Sequence, residues 1–315
     1  MNSVGLLTVS ARYARGQLSP PEVVLQRPAV TRMFLGQLPE AVVKTVPYLY
    51  SLCAQAQRVA AEAALAAARD EALPPADPLP LWSEMLHEHL WRLLLDWPQA
   101  LGLPQAKDAL AAWRNTRGRE GLVGATASLL AEVLLGTSAA DWQGSPVPGS
   151  LAARCLAALG KDKAEENLDL PTLLPAAWLP YWQGDAATAP PVNAPASVAT
   201  AYRQRLHEVV EAARGLATGA PYPVAGAGED GTGIGQTLTA RGILTHGVRL
   251  QDGKVAAYSV WAPTDRHFAD GKELAALVAD DRWAELTGAR RGLERAILAL
   301  DPCLPYEVKV SVNHA

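Results

Sequence analysis

Arg241-Gly-Ile-Leu-Thr-His246-Gly-Val-Arg-Leu-Gln251-Asp252-Gly253-Lys254-Val-Ala-Ala-Tyr-Ser-Val-Trp-Ala-Pro263-Thr264 carries the reading of the fold. Apolar and polar residues alternate with period two on both sides of Gln251–Lys254. An Asp-Gly pair between two such runs is a strong short-range signal for a β-hairpin. The sequence therefore predicts strands over 241–262. Downstream, residues 272–299 return to helical spacing, and Tyr306 to His314 alternates again as a final strand. Upstream, Gly226 to Gly235 is Gly-rich. Gly231-Thr-Gly-Ile-Gly235 invites a phosphate-loop reading, but it lacks the preceding strand, the following helix and a Gly-Lys-Ser/Thr. A flexible loop feeding the hairpin is the expectation.

Further out, helical patterns are expected at 197–215, 147–160, 121–136 and 105–117. Trp82 to Trp97 is a stronger one, with Leu86, Leu90, Leu93, Leu94 and Trp97 at helical spacing. The stretch 171–198 is rich in Pro and Ala and reads as a long loop, and Ala72–Pro80 as a Pro-rich connector. Tyr48 to Glu71 is Ala-rich and helical, with Pro39 and Pro47 punctuating the approach. Residues 4–13 read as a strand that turns at Ala14–Gln17 and returns at Glu22–Gln26. The chain is thus expected to be α+β and mainly helical. A central helical bundle would carry a small antiparallel sheet drawn from the N-terminal hairpin, residues 241–262 and the C-terminal strand. One domain would span 1–315, with a hairpin region at 1–47, a helical core at 48–220 and a hairpin, helix and Cys segment at 236–315.

Composition excludes several classes. The 315 residues are 49% hydrophobic and 19% charged, with a formal net charge of −4, enough apolar material for a substantial core. No basic surplus points to nucleic acid, and no polybasic run points to an anionic membrane. The most apolar stretch, Gly121–Ala140, has Glu132 near its centre. A charge at mid-bilayer costs about 2.5–3.5 kcal/mol, so a buried helix is expected there. Met1–Ser10 lacks the positive start of a signal peptide. Three cysteines do not make a disulfide framework, and a reducing, cytoplasmic setting is expected.

Cys303, in Asp301-Pro302-Cys303-Leu304, and Cys53, 250 residues upstream, are the candidate metal ligands; thiolates suit iron, copper and zinc. Each has a plain alternative, since an isolated cysteine is often a small buried hydrophobe. Cys155, in Leu-Ala-Ala-Arg-Cys-Leu-Ala-Ala-Leu, is helix core. His87 and His89, two apart on a helix, cannot chelate one metal. His246 is expected to be a hydrogen-bonded structural histidine.

Several segments resemble, in order, the large subunit of nickel–iron hydrogenases. Arg241–Thr264 is similar to that family's Pro-Arg-Gly segment, hairpin and closing Pro-Thr. Leu298–Leu304 looks like its C-terminal Asp-Pro-Cys-x-x-Cys-x-x-His. Tyr48–Leu65 resembles its N-terminal Cys-x-x-Cys-x-x-x-His helix, and Leu86–Leu95 a helix carrying histidines. The resemblance covers about half the chain. The departures are Tyr50 for the first N-terminal cysteine, Gln57 for the following histidine, Tyr306 for the second C-terminal cysteine and Lys309 for the closing histidine. The Arg-x-Glu-Gly-His opening is absent.

With two of four thiolates lost, the resemblance implies no nickel and no hydrogen-cleaving enzyme. It narrows to the large-subunit-like hydrogenase assembly proteins of the HupK/HoxV type. These imply a scaffold that transiently holds an Fe(CN)2CO unit on Cys53 and Cys303. Arg241 would hydrogen-bond one cyanide and the Thr264 hydroxyl the other; a surface ion pair is the plain reading of Arg241. Implied partners are an iron–cyanide delivery chaperone complex among the maturation proteins and the hydrogenase large-subunit precursor. With Lys309 at the closing position, the tail is expected to stay uncut. Three other readings stay open: a reversible Cys53–Cys303 disulfide, a purely structural partner of the maturation machinery, and a degenerate hydrogenase subunit.

Overall fold

A computed structural model describes residues 5–160 and 168–312 of the chain; the last residues of the expected final strand, including His314, lie outside them. Three strands open the fold: β1 (Leu6–Ala14), β2 (Gln17–Leu18) and β3 (Glu22–Gln26). The hairpin turns at Arg15 and Gly16, both at positive φ, and β2 and β3 share one edge of β1, interrupted by Ser19-Pro20-Pro21. A second sheet is an antiparallel meander of β4 (Val224–Glu229), β5 (Thr232–Thr239), β6 (Gly242–Gln251) and β7 (Lys254–Trp261). The expected β6–β7 hairpin closes with Gln251 opposite Lys254, and Asp252 and Gly253 take positive φ as a two-residue primed turn requires.

The last strand, β8 (Tyr306–Val312), does not join that meander. It pairs with β1, from Leu7 opposite Tyr306 to Tyr13 opposite Val312, and it runs parallel. The single small antiparallel sheet expected from sequence is therefore two four-stranded sheets, one of them mixed. Parallel pairing of the two chain ends needs the whole protein as its crossover, which local patterning does not encode.

The Gly-rich stretch is also corrected: it is not a flexible loop. Asp230 and Gly231 form a second primed turn, and β5 is buried along its whole length. The Ala54–Ala68 helix lies directly on β4 and β5. A Cβ on Gly233 would overlap the carbonyl oxygen of Ala64, and one on Gly235 that of Ala60. Glycine on the strands and alanine on the helix let two backbones meet without side chains between them.

Tyr48–Glu71 is not one helix. A helix runs Pro39–Leu49, with Pro39 at its start and Pro47 inside it, and a second runs Ala54–Ala68. Between them Tyr50 leaves helical geometry and Ser51–Cys53 make a 3-10 turn. The Trp82–Trp97 pattern belongs to a longer helical run, Pro78–Trp91, continued through a wide π turn at Arg92–Asp96 into Trp97–Ala100. Pro98 accounts for the widened turn, because it has no N–H to give and its ring crowds the carbonyl four residues back. Residues 272–299 split into Lys272–Val278 and Leu286–Leu300. The interruption docks Trp283 on the N-terminal hairpin: its N–H donates to Gly16 O at 2.9 Å, and its carbonyl accepts from Tyr13 Oη at 2.7 Å.

The core joins Leu7 and Val9 of β1 to Leu86, Leu90, Leu93 and Trp97, and to Tyr202 and Leu206 of the Val198–Thr218 helix. The Pro-rich 171–198 segment wraps over the second sheet as a strap of short turns. Trp178, Tyr181 and Trp182 pin it by packing around Trp261, with ring centroids 5.1–5.9 Å away. Cys155 is fully buried in the Leu151–Leu159 helix, as expected. No helix among the described residues is long and apolar enough to cross a membrane.

Candidate cysteine-pair site

The parallel β1–β8 pairing brings the two ends of the chain together, and with them the two cysteines. Cys53 is the residue from which the Ala54–Ala68 helix starts, at φ −128° and ψ 45°, rather than a residue within its first turns. Glu84 fixes that start: its carboxylate accepts from the Gln55 N–H at 2.8 Å and the Ala56 N–H at 3.0 Å. An acid at a helix N-terminus satisfies orphan donors and complements the dipole. Burial nevertheless pushes the Glu84 pKa up to about 7.

Cys303 follows a different route. The Leu286–Leu300 helix ends at Asp301 in the left-handed region, φ 48°. Two residues on, the Cys303 N–H donates to Thr264 Oγ1 at 3.1 Å, and Thr264 is fully buried at the head of the Pro263–His267 helix. This bond ties together the two segments on which the family resemblance rests. Arg27 donates to Cys303 Sγ at 3.1 Å and pairs with Asp265 at 2.5 Å. Burial opposes the Arg27 charge, and Cys303 and Asp265 more than offset that.

Both cysteines are free and half-buried. Burial of the thiol pushes the Cys53 pKa up to about 12, and Glu84 and then Cys303 add to the rise through their charges. Tyr50 belongs to the same cluster. Its phenol is pushed up to about 12 by burial, and it feels Arg27, Asp265, Cys53 and Cys303. The residue in place of the family's first cysteine is thus beside the two that remain. Tyr306 instead feels Glu294, Arg92 and Asp96 from the start of β8. Lys309 is exposed on β8 and reaches Glu307.

Gln57, in place of the family histidine, was missed as a functional residue. It is buried, and its amide nitrogen donates to Cys53 Sγ at 3.5 Å. Its amide oxygen accepts from His246 Nε2 at 2.9 Å, which leaves Nδ1 to accept from the Tyr258 hydroxyl at 2.6 Å. His246 is the hydrogen-bonded structural histidine expected; burial lowers its pKa to about 3, so it is neutral.

Arg241 is not a surface ion pair. It is buried, donates to Glu88 at 2.7 Å and lies 3.5 Å from Asp301. Asp301 also pairs with Arg92 at 2.7 Å and Arg205 at 3.0 Å. Burial alone would raise the Asp301 pKa, yet Arg241, Arg205 and Arg92 hold it well below the usual carboxylate range. Burial likewise opposes the Arg241 charge, and Asp301 and Glu88 raise its pKa regardless. Each member of such a buried cluster needs the others, because an unpaired buried charge is expensive. Sequence reasoning singled out Arg241 and missed Glu88, Arg92 and Arg205; the signal for them, Arg and Glu on otherwise core-facing helices, is weak.

His87 and His89 do not converge: His87 faces Glu88, and His89 lies 3.3 Å from Glu208. Among the described residues no group of three or more His, Cys, Asp and Glu side chains could hold a metal ion.

The fold is shared with nickel–iron-type hydrogenases. The Ni-Fe-Se hydrogenase of D. vulgaris Hildenborough in the reduced state superposes with a TM-score of 0.52 at 15% identity, over 92% of this chain and 94% of that one. Its G491S variant superposes with a TM-score of 0.53 at 14% identity, over 92% and 94%. No protein-family model matches. Among curated proteins, hydrogenase expression/formation protein HupK of Azotobacter vinelandii is 31% identical over 97% of this chain and 98% of its own length. HupV of Azotobacter chroococcum mcd 1 is 30% identical over 97% and 98%. HupK of Rhizobium leguminosarum bv. viciae is 26% identical over 97% and 96%. The protein is therefore a hydrogenase-like chain in fold. It belongs to the HupK family of hydrogenase expression/formation proteins.

Proposed function

We propose that this protein acts in hydrogenase maturation as a non-catalytic scaffold that receives an Fe(CN)2CO unit, holds it on Cys53 and Cys303, and passes it on. The observation that carries the reading is the donor set: two half-buried thiols from opposite ends of the chain meet beside Tyr50, with no third protein ligand among the described residues. Two sulfurs do not complete a tetrahedral zinc site. They do suit an iron that arrives with half of its six positions already filled by diatomic ligands, which is cargo rather than a resident cofactor. The same donor set leaves nickel without a four-thiolate seat.

The chain's own groups have definite tasks in this reading. Cys53 must lose its proton to bind, against a pKa of about 12, so the thiol stays inert until a metal displaces the proton. Gln57 and Arg27 supply hydrogen bonds to the two sulfurs that offset thiolate charge. The Thr264 oxygen already accepts from Cys303, so its own hydrogen is free to face a cyanide nitrogen. Arg241 offers N–H groups beyond those that hold Glu88. The interior space shared by Cys53 and Arg241 is only about 10 Å³, so the iron sits on the open side of the two cysteines and only the end of a cyanide turned inward would reach Arg241. Implied partners are an iron–cyanide delivery complex and the large-subunit precursor.

Infrared spectroscopy tests this on protein purified without oxygen from a host carrying the maturation machinery. Metal-bound cyanide and carbonyl bands should be present in the wild type and absent from the Cys53→Ala/Cys303→Ala variant. Absence of the bands from wild-type protein that still associates with its maturation partners would leave a structural role and remove the cargo.

A further inference from the structure

On the far side of Arg241 from Cys53 lies a second, larger cavity of about 440 Å³, roofed by the Pro-rich strap and floored by the helical core. Arg241 and Ala240 line both spaces and form the wall between them. The volume falls within the roughly 300–1,000 Å³ of small-molecule sites. Its walls combine the apolar surfaces of Trp178, Ile243 and several prolines with three guanidinium groups from three separate elements: Arg205, Arg241 and Arg266.

The charges there are unequally matched. Arg241 and Arg205 share Asp301 behind the wall. Arg205 is 5% exposed, and its Nε has no hydrogen-bond partner. Arg266 lies 4.7 Å over the Trp178 ring and donates to the Pro190 carbonyl, with no carboxylate in ion-pair range among the described residues. Burial lowers its pKa, and Tyr181 and Glu273 oppose that only in part. Two acids share the wall, Asp169 and Glu208, and burial raises the Glu208 pKa to about 7, so it is only partly ionised near neutrality and the three guanidinium groups outnumber the carboxylate charge. A partly buried wall with surplus fixed donors and an aromatic plate beside them is a preorganised receptor for an anion with an apolar body.

We propose that this cavity binds a small organic oxyanion, its carboxylate or phosphoryl head held by Arg205 and Arg266 and its apolar body against Trp178 and Ile243. The strap covers the ligand, and the Trp178–Trp261 packing holds the strap in place. The site is separate from the cysteine pair, and it stands whether or not Cys53 and Cys303 carry iron.

Ligand-observed saturation-transfer NMR on the full chain tests the proposal with benzoate, phenyl phosphate and the neutral isostere benzamide at millimolar concentration. At least one of the two anions should be saturated and benzamide not. The stronger anion assigns the head group as carboxylate or phosphoryl. Arg266→Gln should weaken that anion about tenfold, the loss of one charge-assisted contact. Ala177→Trp, which fills the mouth from an exposed position, should abolish the signal without touching any guanidinium. Circular dichroism checks that each variant is folded; if Arg266→Gln is not, Ala177→Trp decides alone. No saturation by either anion, equal saturation by benzamide, or a signal that survives Ala177→Trp would overturn the proposal.

Discussion

The amide oxygen of Gln57 lies 2.9 Å from Nε2 of His246, across 189 residues of chain, and the same amide donates to the sulfur of Cys53. The bonds run in one direction along the series: Gln57 turns its nitrogen to the sulfur, its oxygen accepts from Nε2–H, and Nδ1 accepts from Tyr258. A histidine pinned at both nitrogens thereby orients a donor at a cysteine it never touches.

Gln57→Leu should cost about 1–3 kcal/mol, since it leaves the buried Nε2–H of His246 without an acceptor. Urea denaturation measures it. A change within a few tenths of a kcal/mol would mean that the contact is dispensable. The variant also removes the donor to Cys53, so any iron-bound cyanide bands should weaken or shift.

Asp301→Asn removes the charge shared by Arg92, Arg205 and Arg241, and the expected loss is about 3–5 kcal/mol of stability. Asn keeps the left-handed backbone that Asp301 adopts, so the loss reports charge rather than the turn. A midpoint equal to wild type would refute the account of the cluster.

Gly235→Ala places a methyl group against the Ala60 carbonyl. Overpacking of this kind costs about 1–3 kcal/mol, and the resulting shift of the Ala54–Ala68 helix should also move Cys53. By contrast, Gly124→Ala sits on the exposed face of the Leu122–Ser128 helix with open space around it. It should stabilise the protein by about 0.5–1 kcal/mol. Thermal melts of the two variants should therefore move in opposite directions.

Glu208→Gln tests the buried carboxyl beside His89. The folded pKa is raised to about 7 from an ordinary 4.5, with burial the largest cause. Wild-type protein holds the extra proton at low pH and loses that stabilisation as pH rises through 7. Relative to wild type, the Gln variant should gain on the order of 2–3 kcal/mol between pH 5 and pH 8. Parallel stability–pH profiles for the two proteins would rule out a buried ionisable Glu208.

Much of the fold was legible because its signals are local. Asp252-Gly253 between alternating runs can close only a tight hairpin, and that turn is found where expected. Leu86, Leu90, Leu93 and Trp97 at helical spacing could bury one face, and they do. The Gly-rich stretch misled for a physical reason: glycine in a strand and glycine in a loop are the same residue until its neighbour is known. Here the neighbour is the alanine face of a helix more than 150 residues upstream. The break at Tyr50–Cys53 was hidden because the residues around it are good helix formers. What opens it is the carboxylate of Glu84, which claims the N–H groups of Gln55 and Ala56.

The sequence by itself determined most of the elements and, through donor type, the two cysteines that could carry chemistry, Cys53 and Cys303, since backbone preference and donor type are properties of the residues; Arg241 and Thr264 came from the family resemblance. Only the tertiary structure decided what each of those residues faces. The parallel pairing of β1 with β8 brings Cys303 to Cys53. Burial raises the pKa of Cys53, and three arginines drawn from distant segments lower that of Asp301. Those effects depend on distance and on exclusion of water, and neither exists until the chain has closed on itself.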